Sequence, residues 1–254
     1  MHNTQLCFII NDTFCSLVHK VENEFNYLFG FYFKNKNETL IKEQILQKLN
    51  EHRVFELKYD DVTIAWAGIN STLIPFAVFE RNILKDIYLT CFNESKMNHE
   101  IDYNRISNCS IVNIYDIPLW LKSFFILRFP HFNLQHQITT SIKGLLEQNA
   151  YVLKIHTSVF PDILNIIIVE KNEILFCNTF QITHENDIIY YLSFTLQQEN
   201  LLGKKGNITF SIHPLIEFTT QDSLNVILSK LPIFKDFIFL FDPINSFKLQ
   251  QFCV

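Results

Sequence analysis

Few side chains in this sequence stand at spacings that do chemistry. Gly203-Lys204-Lys205-Gly206-Asn207 has the composition of a phosphate loop. It lacks the GxxxxGK[ST] spacing and lies between a helix and a strand, the reverse of the order a P-loop needs, so it reads as a solvated connector. His131 and His136 are five apart, whereas one helix face requires three or four. Asp60 and Asp61 open a strand; neighbours there point to opposite faces and cannot share a proton. GxSxG, HExxH, GxGxxG and a Cys/His arrangement are all absent from the sequence. What remains is two short turn candidates with polar side chains between apolar runs: Asn11-Asp12-Thr13, and His156-Thr157-Ser158-Val159-Phe160-Pro161.

Composition narrows the classes. The 254 residues are 48% hydrophobic and 19% charged, as in a folded globular protein. The length suits one large domain or two small ones. A formal charge of −5 argues against broad binding to nucleic acid or anionic membranes, which needs a basic face. Aromatic residues reach 15%, with no basic groove beside them, so core packing accounts for most. Cys7, Cys15, Cys91, Cys109, Cys177 and Cys253 are scattered and contain no CxxC pair; they read as buried cytosolic thiols. The start of the chain has no Lys or Arg before its short apolar run, and no stretch approaches the roughly 20 apolar residues of a membrane helix. The expectation is a cytoplasmic protein without membrane insertion.

The elements that position those segments follow from periodicity. Residues 6–10, 14–19 and 27–33 read as three strands. Asn37 caps a helix striped by Ile41, Ile45, Leu46 and Leu49. A strand at 62–66 is followed by a break at Gly68-Ile69-Asn70-Ser71. A second helix starts near Pro75, striped by Phe79, Ile83, Ile87 and Cys91. After a polar loop at 93–100 comes a strand at 111–115. Asp116 then caps a helix with Pro118 in its first turn, closed by Pro130. A helical stretch at 141–148 leads to the second half, where 152–156, 164–169 and 174–180 are strands. The second and third are joined tightly through Lys171-Asn172-Glu173. Thr183 caps a helix striped by Ile188, Tyr191, Leu192 and Thr195, and 208–212 is a strand. Thr220 caps a helix striped by Leu224, Ile227, Leu228 and Leu231, and 237–241 is the last strand.

Both halves thus read β-β-β-α-β-α-β. Hairpin-linked strands followed by crossover helices imply mixed sheets with helices packed on them, an α/β protein. A doubled βββαβαβ unit is the arrangement of the actin-like ATPase fold, two ribonuclease-H-like halves. The expected division is 1–149, carrying extra helices at its end, and 150–254.

The second half also carries a recurrent pattern: Leu175-Phe176, Asn178 and Phe180, followed by Asp187 and Tyr190-Tyr191-Leu192. Thr72-Leu73-Ile74-Pro75, Phe79, Phe129-Pro130 and His136 accompany it. In these pieces the chain resembles an uncharacterised bacterial family of unknown function. The resemblance implies an actin-like fold, related to pilus-assembly and cell-division proteins, and implies no reaction.

On that fold a nucleotide would lie between the halves, with the first hairpin turn of each half embracing phosphate. Working members place an Asp-x-Gly turn there, because glycine lets backbone N–H groups approach and the Asp organises Mg²⁺ and water. Here the candidates are Asp12, Thr13, Thr157 and Ser158, and none of the five glycines lies in either turn. The adenosine-binding glycine pair is replaced by Ser211-Ile212-His213-Pro214. The favoured expectation is a non-catalytic scaffold that binds an unidentified protein partner and uses no cofactor. The alternative is an enzyme binding ATP with Mg²⁺, with Asp12 on the metal and Thr157 and Ser158 on phosphate. A purely structural homodimer is a third possibility, and the sequence leaves oligomeric state open.

Overall fold

In the computed structural model, which describes residues 4–22, 24–147 and 152–242, the three opening runs form an antiparallel meander. Its strands are β1 (Thr4–Ile10), β2 (Phe14–Val21) and β3 (Glu24–Tyr32). Alternation sends Leu6, Phe8 and Ile10 to one face with Cys15, Leu17 and Phe29. α1 (Glu38–Glu51) begins at Asn37, whose Oδ1 accepts from the backbone N–H of Thr39 at 3.0 Å. Its Ile41, Ile45 and Leu49 stripe lies on that face. β4 (Asp61–Trp66) then returns parallel to β1.

Between β4 and the next core helix the chain makes a three-stranded sheet of its own, ordered β5-β7-β6. It consists of β5 (Ser71–Pro75), α2 (Leu84–Phe92), β6 (His99–Ile106) and β7 (Ile111–Pro118). Tyr88, Val112 and Ile114 are its small core. The sequence reading differs from the structure here. The expected break at Ser71 is a strand, with Pro75 at its end, where a missing N–H costs least. The expected helix from Pro75 begins nine residues later, after two turns of 3-10 helix. Asp116 does not cap a helix; β7 runs through it to Pro118, and α3 (Leu119–Ile126) starts there. β8 (Asn133–His136), short and polar, pairs parallel with β4 and completes a sheet ordered β3-β2-β1-β4-β8. Leu121, Phe124 and Phe125 of α3 join α1 over its apolar face. The helix and strand closing this sheet are therefore α3 and β8, and not the pair at α2 and β7.

The chain divides into two compact units, with the change at Gly144 and Leu145, inside α4 (Gln137–Glu147). The second unit repeats the plan without the inserted sheet. β9 (Lys154–Val159), β10 (Ile163–Glu170) and β11 (Glu173–Gln181) form the meander. α5 (Glu185–Gln198), β12 (Gly206–Ile212), α6 (Gln221–Lys230) and β13 (Phe237–Phe241) follow. The order is β11-β10-β9-β12-β13, matching the first sheet strand for strand. Ile188, Leu192, Leu196, Leu224 and Leu228 cover Ile155, Val159, Ile166, Ile208 and Phe210. The cap of α5 is His184, one residue after the expected Thr183, with Asp187 closing a capping box.

The opposite face of the second sheet is polar along one register line. Thr179, Asn165, Ser158 and Ser211 are successive cross-strand partners. Thr179 Oγ1 donates to Asn165 Oδ1 at 2.7 Å, and Ser211 Oγ donates to the Asp242 carboxylate.

Among the described residues the cysteines are free thiols. Cys7 and Cys15 are buried as expected, whereas Cys91 is exposed. Cys253 lies outside the described residues.

Candidate functional site

Three matched backbone bonds align the first hairpin turns of the two units. Asn11 N–H donates to Phe14 O, as Phe160 N–H does to Ile163 O. Phe33 N–H donates to Thr13 O, as Ile182 N–H does to Asp162 O. Ala67 N–H donates to Ile10 O, as His213 N–H does to Val159 O. The turn equivalent to Asn11-Asp12-Thr13 is thus Phe160-Pro161-Asp162. Thr157 and Ser158 stand in β9, before the turn.

In the first turn Asn11 is buried, and its carboxamide oxygen is the hub. Asn11 Oδ1 accepts from the backbone N–H of Thr13 at 2.7 Å, the Thr13 hydroxyl at 2.9 Å and the Phe14 N–H at 2.9 Å. This is the Asx geometry that stabilises a turn internally. The same donors are the ones a bound phosphate would require. Asp12 is exposed, and its Oδ2 pairs with Lys96 Nζ at 2.7 Å. A surface pair of this kind contributes little.

The second turn is built from bulk. Phe160 is fully buried, its ring 5.9 Å from that of His213, and Pro161 has no N–H to offer. Thr157 pairs in register with Ile166 and Phe210, so its hydroxyl faces the apolar core, where Oγ1 has no partner among the described residues. Ser158 faces the other way, with Oγ 2.9 Å from Nε2 of His156. Burial pushes His156 down to about 4 and His213 to about 3, so both rings are neutral at ordinary pH. The four candidates are therefore split: Asp12 on the surface, Thr13 within its own turn, Thr157 in the core, Ser158 on the polar row.

A more reactive arrangement sits beside the first turn, and sequence reasoning missed it. His99 on β6 and Asp116 on β7 are diagonal neighbours, since His99 pairs in register with Pro118. His99 Nδ1 lies 2.8 Å from Asp116 Oδ2, with the two side chains 9% and 2% exposed. An ionised carboxylate only accepts, so His99 carries its proton on Nδ1. The backbone carbonyl of Asp116 takes the indole N–H of Trp66 at 2.8 Å. Burial, reinforced by the Asp116 carboxylate, raises Tyr88 and keeps its phenol protonated, and that hydroxyl accepts from Asn70 Nδ2 at 3.2 Å. His99 lines a recess of about 420 Å³ with Asn11, Asp12, Lys36, Lys96 and Trp120. No signal in the sequence could pair His99 with Asp116 once the segment from 93 to 100 was read as a loop.

Among the described residues no group of three His, Cys, Asp or Glu could hold a metal ion. Among the described residues no helix is long and apolar enough to cross a membrane.

Comparison with known proteins then places the chain. A family profile described as "Protein of unknown function (DUF3822)" matches residues 2–231. The chain belongs to that family. The chain is similar in structure to a protein of unknown function from Bacteroides thetaiotaomicron with an actin-like ATPase fold. The two are 20% identical with a TM-score of 0.77, over 98% of this chain and 95% of that one. It is also similar to a chain of the PilM-PilN type IV pilus biogenesis complex, at 10% identity and a TM-score of 0.57, over 98% and 93%. No curated protein matches the sequence. This member of the DUF3822 family therefore has the actin-like ATPase fold, as its doubled strand order implied.

Proposed function

We propose that this DUF3822 protein is a non-catalytic, actin-like protein that works by binding another protein, its nucleotide turns having become structural. The observation that carries this reading is the three-fold use of Asn11 Oδ1 by the Thr13 and Phe14 donors. A phosphate on that turn would have to displace a buried side chain from bonds worth about 1 kcal/mol each. The second turn supports the same reading, because Pro161 lacks a donor and the Phe160 side chain beside it is bulky and fully buried. The likeness to PilM, a protein whose structure is a complex with PilN, agrees with a role in partnering.

The ATP alternative has one observation in its favour, the exposed carboxylate of Asp12, whose lysine partner is also exposed. The residues fit a nucleotide poorly elsewhere, since the Thr157 hydroxyl faces the apolar core.

Thermal unfolding with and without millimolar Mg-ATP separates the two. A nucleotide present at a hundred times its dissociation constant stabilises by about 2.7 kcal/mol. We expect no shift in midpoint. A clear shift that Asp12→Ala removes would overturn the proposal.

A further inference from the structure

We infer that the recess between the chain leaving α1 and the chain leaving α3 docks a segment of a partner protein, one that carries a large apolar side chain next to an Asp or Glu. This site rests on the chain being a partner-binding protein, and it gives that partner a chemistry. The recess has a volume of about 340 Å³. Val54 and Phe129 line it and are buried. Phe55 and Leu57 line it while staying 43% and 56% exposed, and the Phe55 and Phe129 rings lie 5.8 Å apart. The apolar surface runs on past the recess: Ile126 and Leu127, 63% and 81% exposed, immediately precede Arg128, another lining residue. A free small molecule seated in the recess would leave that outer surface in water. Apolar side chains exposed in this way around a pocket mark a protein contact.

Charge fixes what accompanies the apolar side chain. Lys58 and Arg128 stand at the lining against a single carboxylate, Asp60. That carboxylate is already engaged, Oδ2 accepting from the backbone N–H of Thr4 at 2.8 Å and from the Thr4 hydroxyl at 3.1 Å. Neither cation has a carboxylate partner among the described residues. Arg128 is the better placed of the two. Its Nη1 donates to Phe124 O at 2.7 Å, and its guanidinium lies 3.9 Å from the centre of the Phe124 ring, so the planar group is held in place before a partner arrives. A guanidinium has five donors, and the rest of these have no partner among the described residues. An incoming carboxylate can take two of them side by side. An arginine and aromatic rings around a pocket are also the composition of binding hot spots. The rest of the molecule sharpens the choice, because a chain of formal charge −5 repels an acidic segment over most of its surface.

The test pans the immobilised full chain with a displayed library of random peptides about a dozen residues long, then measures the enriched peptides, made synthetically, by fluorescence anisotropy. The enriched peptides should carry Phe, Leu, Ile, Met or Trp beside Asp or Glu, and bind with a dissociation constant of about 100 μM or tighter. Replacing their Asp and Glu by Asn and Gln should weaken them about tenfold, and binding should weaken with added salt. Leu57→Ser, Lys58→Gln and Arg128→Gln should each weaken binding about fivefold or more. Leu57 and Lys58 are exposed, so the first two variants should keep the unfolding midpoint, and their loss of binding is not a loss of fold. No enrichment over bare support, enriched peptides without Asp or Glu, or affinity indifferent to all three substitutions would each overturn the inference. So would a dimer in sedimentation that Leu57→Ser dissociates, which would make a second copy the occupant. Failure of the peptides with no shift by Mg-ATP moves the partner's contact elsewhere and leaves the reading of the two turns standing. A shift by Mg-ATP that Asp12→Ala removes overturns that reading whatever the peptides do.

Discussion

Asn11 Oδ1 lies 2.7 Å from the backbone nitrogen of Thr13 and 2.9 Å from its hydroxyl, so a single side chain organises the turn between β1 and β2. Asn11→Ala strands these donors along with Phe14 N–H, and should cost about 1–3 kcal/mol in urea unfolding. Asn11→Asp keeps the acceptor and should cost less than half of that. Neither variant should gain a midpoint shift with Mg-ATP.

Stability should decline on mild acidification. Burial pushes His136 and His156 down to about 4, and His213 to about 3, from an ordinary 6.5. Between those values the unfolded chain takes up protons that the folded chain refuses. The contribution of each ring is therefore complete above pH 6.5 and is lost as pH falls toward 4, by about 1.4 kcal/mol per pH unit per ring. His136 also accepts from Ile138 N–H at 3.2 Å through Nδ1, which requires the neutral ring. Urea midpoints at pH 7, 6 and 5 should fall in that order, and His136→Gln should make the slope shallower by about one proton.

Gly68 is confined by an indole. A Cβ there would lie 2.4 Å from Trp66 Nε1, the nitrogen that donates to Asp116 O. Trp66 is 1% exposed and has nowhere to move. Gly68→Ala should destabilise by about 1–3 kcal/mol through this overpacking. A shift in the near-ultraviolet dichroism of Trp66 should accompany the loss.

At the start of α5, Asp187 Oδ2 accepts from the backbone N–H of Thr183 at 2.8 Å and of His184 at 2.9 Å. The Thr183 N–H bond is the largest of the influences holding this carboxyl below its usual value. Asp187→Ala should cost about 1 kcal/mol, as losses at helix caps do, and Thr183→Ala should cost less. Faster amide exchange at residues 183 and 184 in Asp187→Ala would check the assignment.

The second unit was readable because its strands are long apolar runs broken by plain turn chemistry, and β13 matches its expected span at both ends. The first unit was readable only in outline. β6 reads His-Glu-Ile-Asp-Tyr-Asn-Arg-Ile, and β8 Asn-Leu-Gln-His; both are edge strands, held by backbone pairing more than by apolar alternation. Missing β6 hid the His99–Asp116 pair, because a diagonal contact across two strands has no fixed spacing in sequence. An acidic residue two before a proline reads as a helix cap, whereas the Asp116 carboxylate is turned inward to an imidazole. The sequence reads the second turn as the whole stretch from His156 to Pro161, because polar residues ordinarily mark turns, whereas β9 carries His156, Thr157 and Ser158 inside the sheet and only Phe160 and Pro161 belong to the turn.

The polar line from Thr179 through Asn165, Ser158 and Ser211 also acts as a proofreading code. Sliding any one of these strands by a single position would thrust an amide or hydroxyl among Ile166, Phe210 and Leu192, and pull aliphatic groups out in exchange. Misaligned collapse products of this half are thereby self-rejecting, and the chain can search for its alignment without a covalent brace.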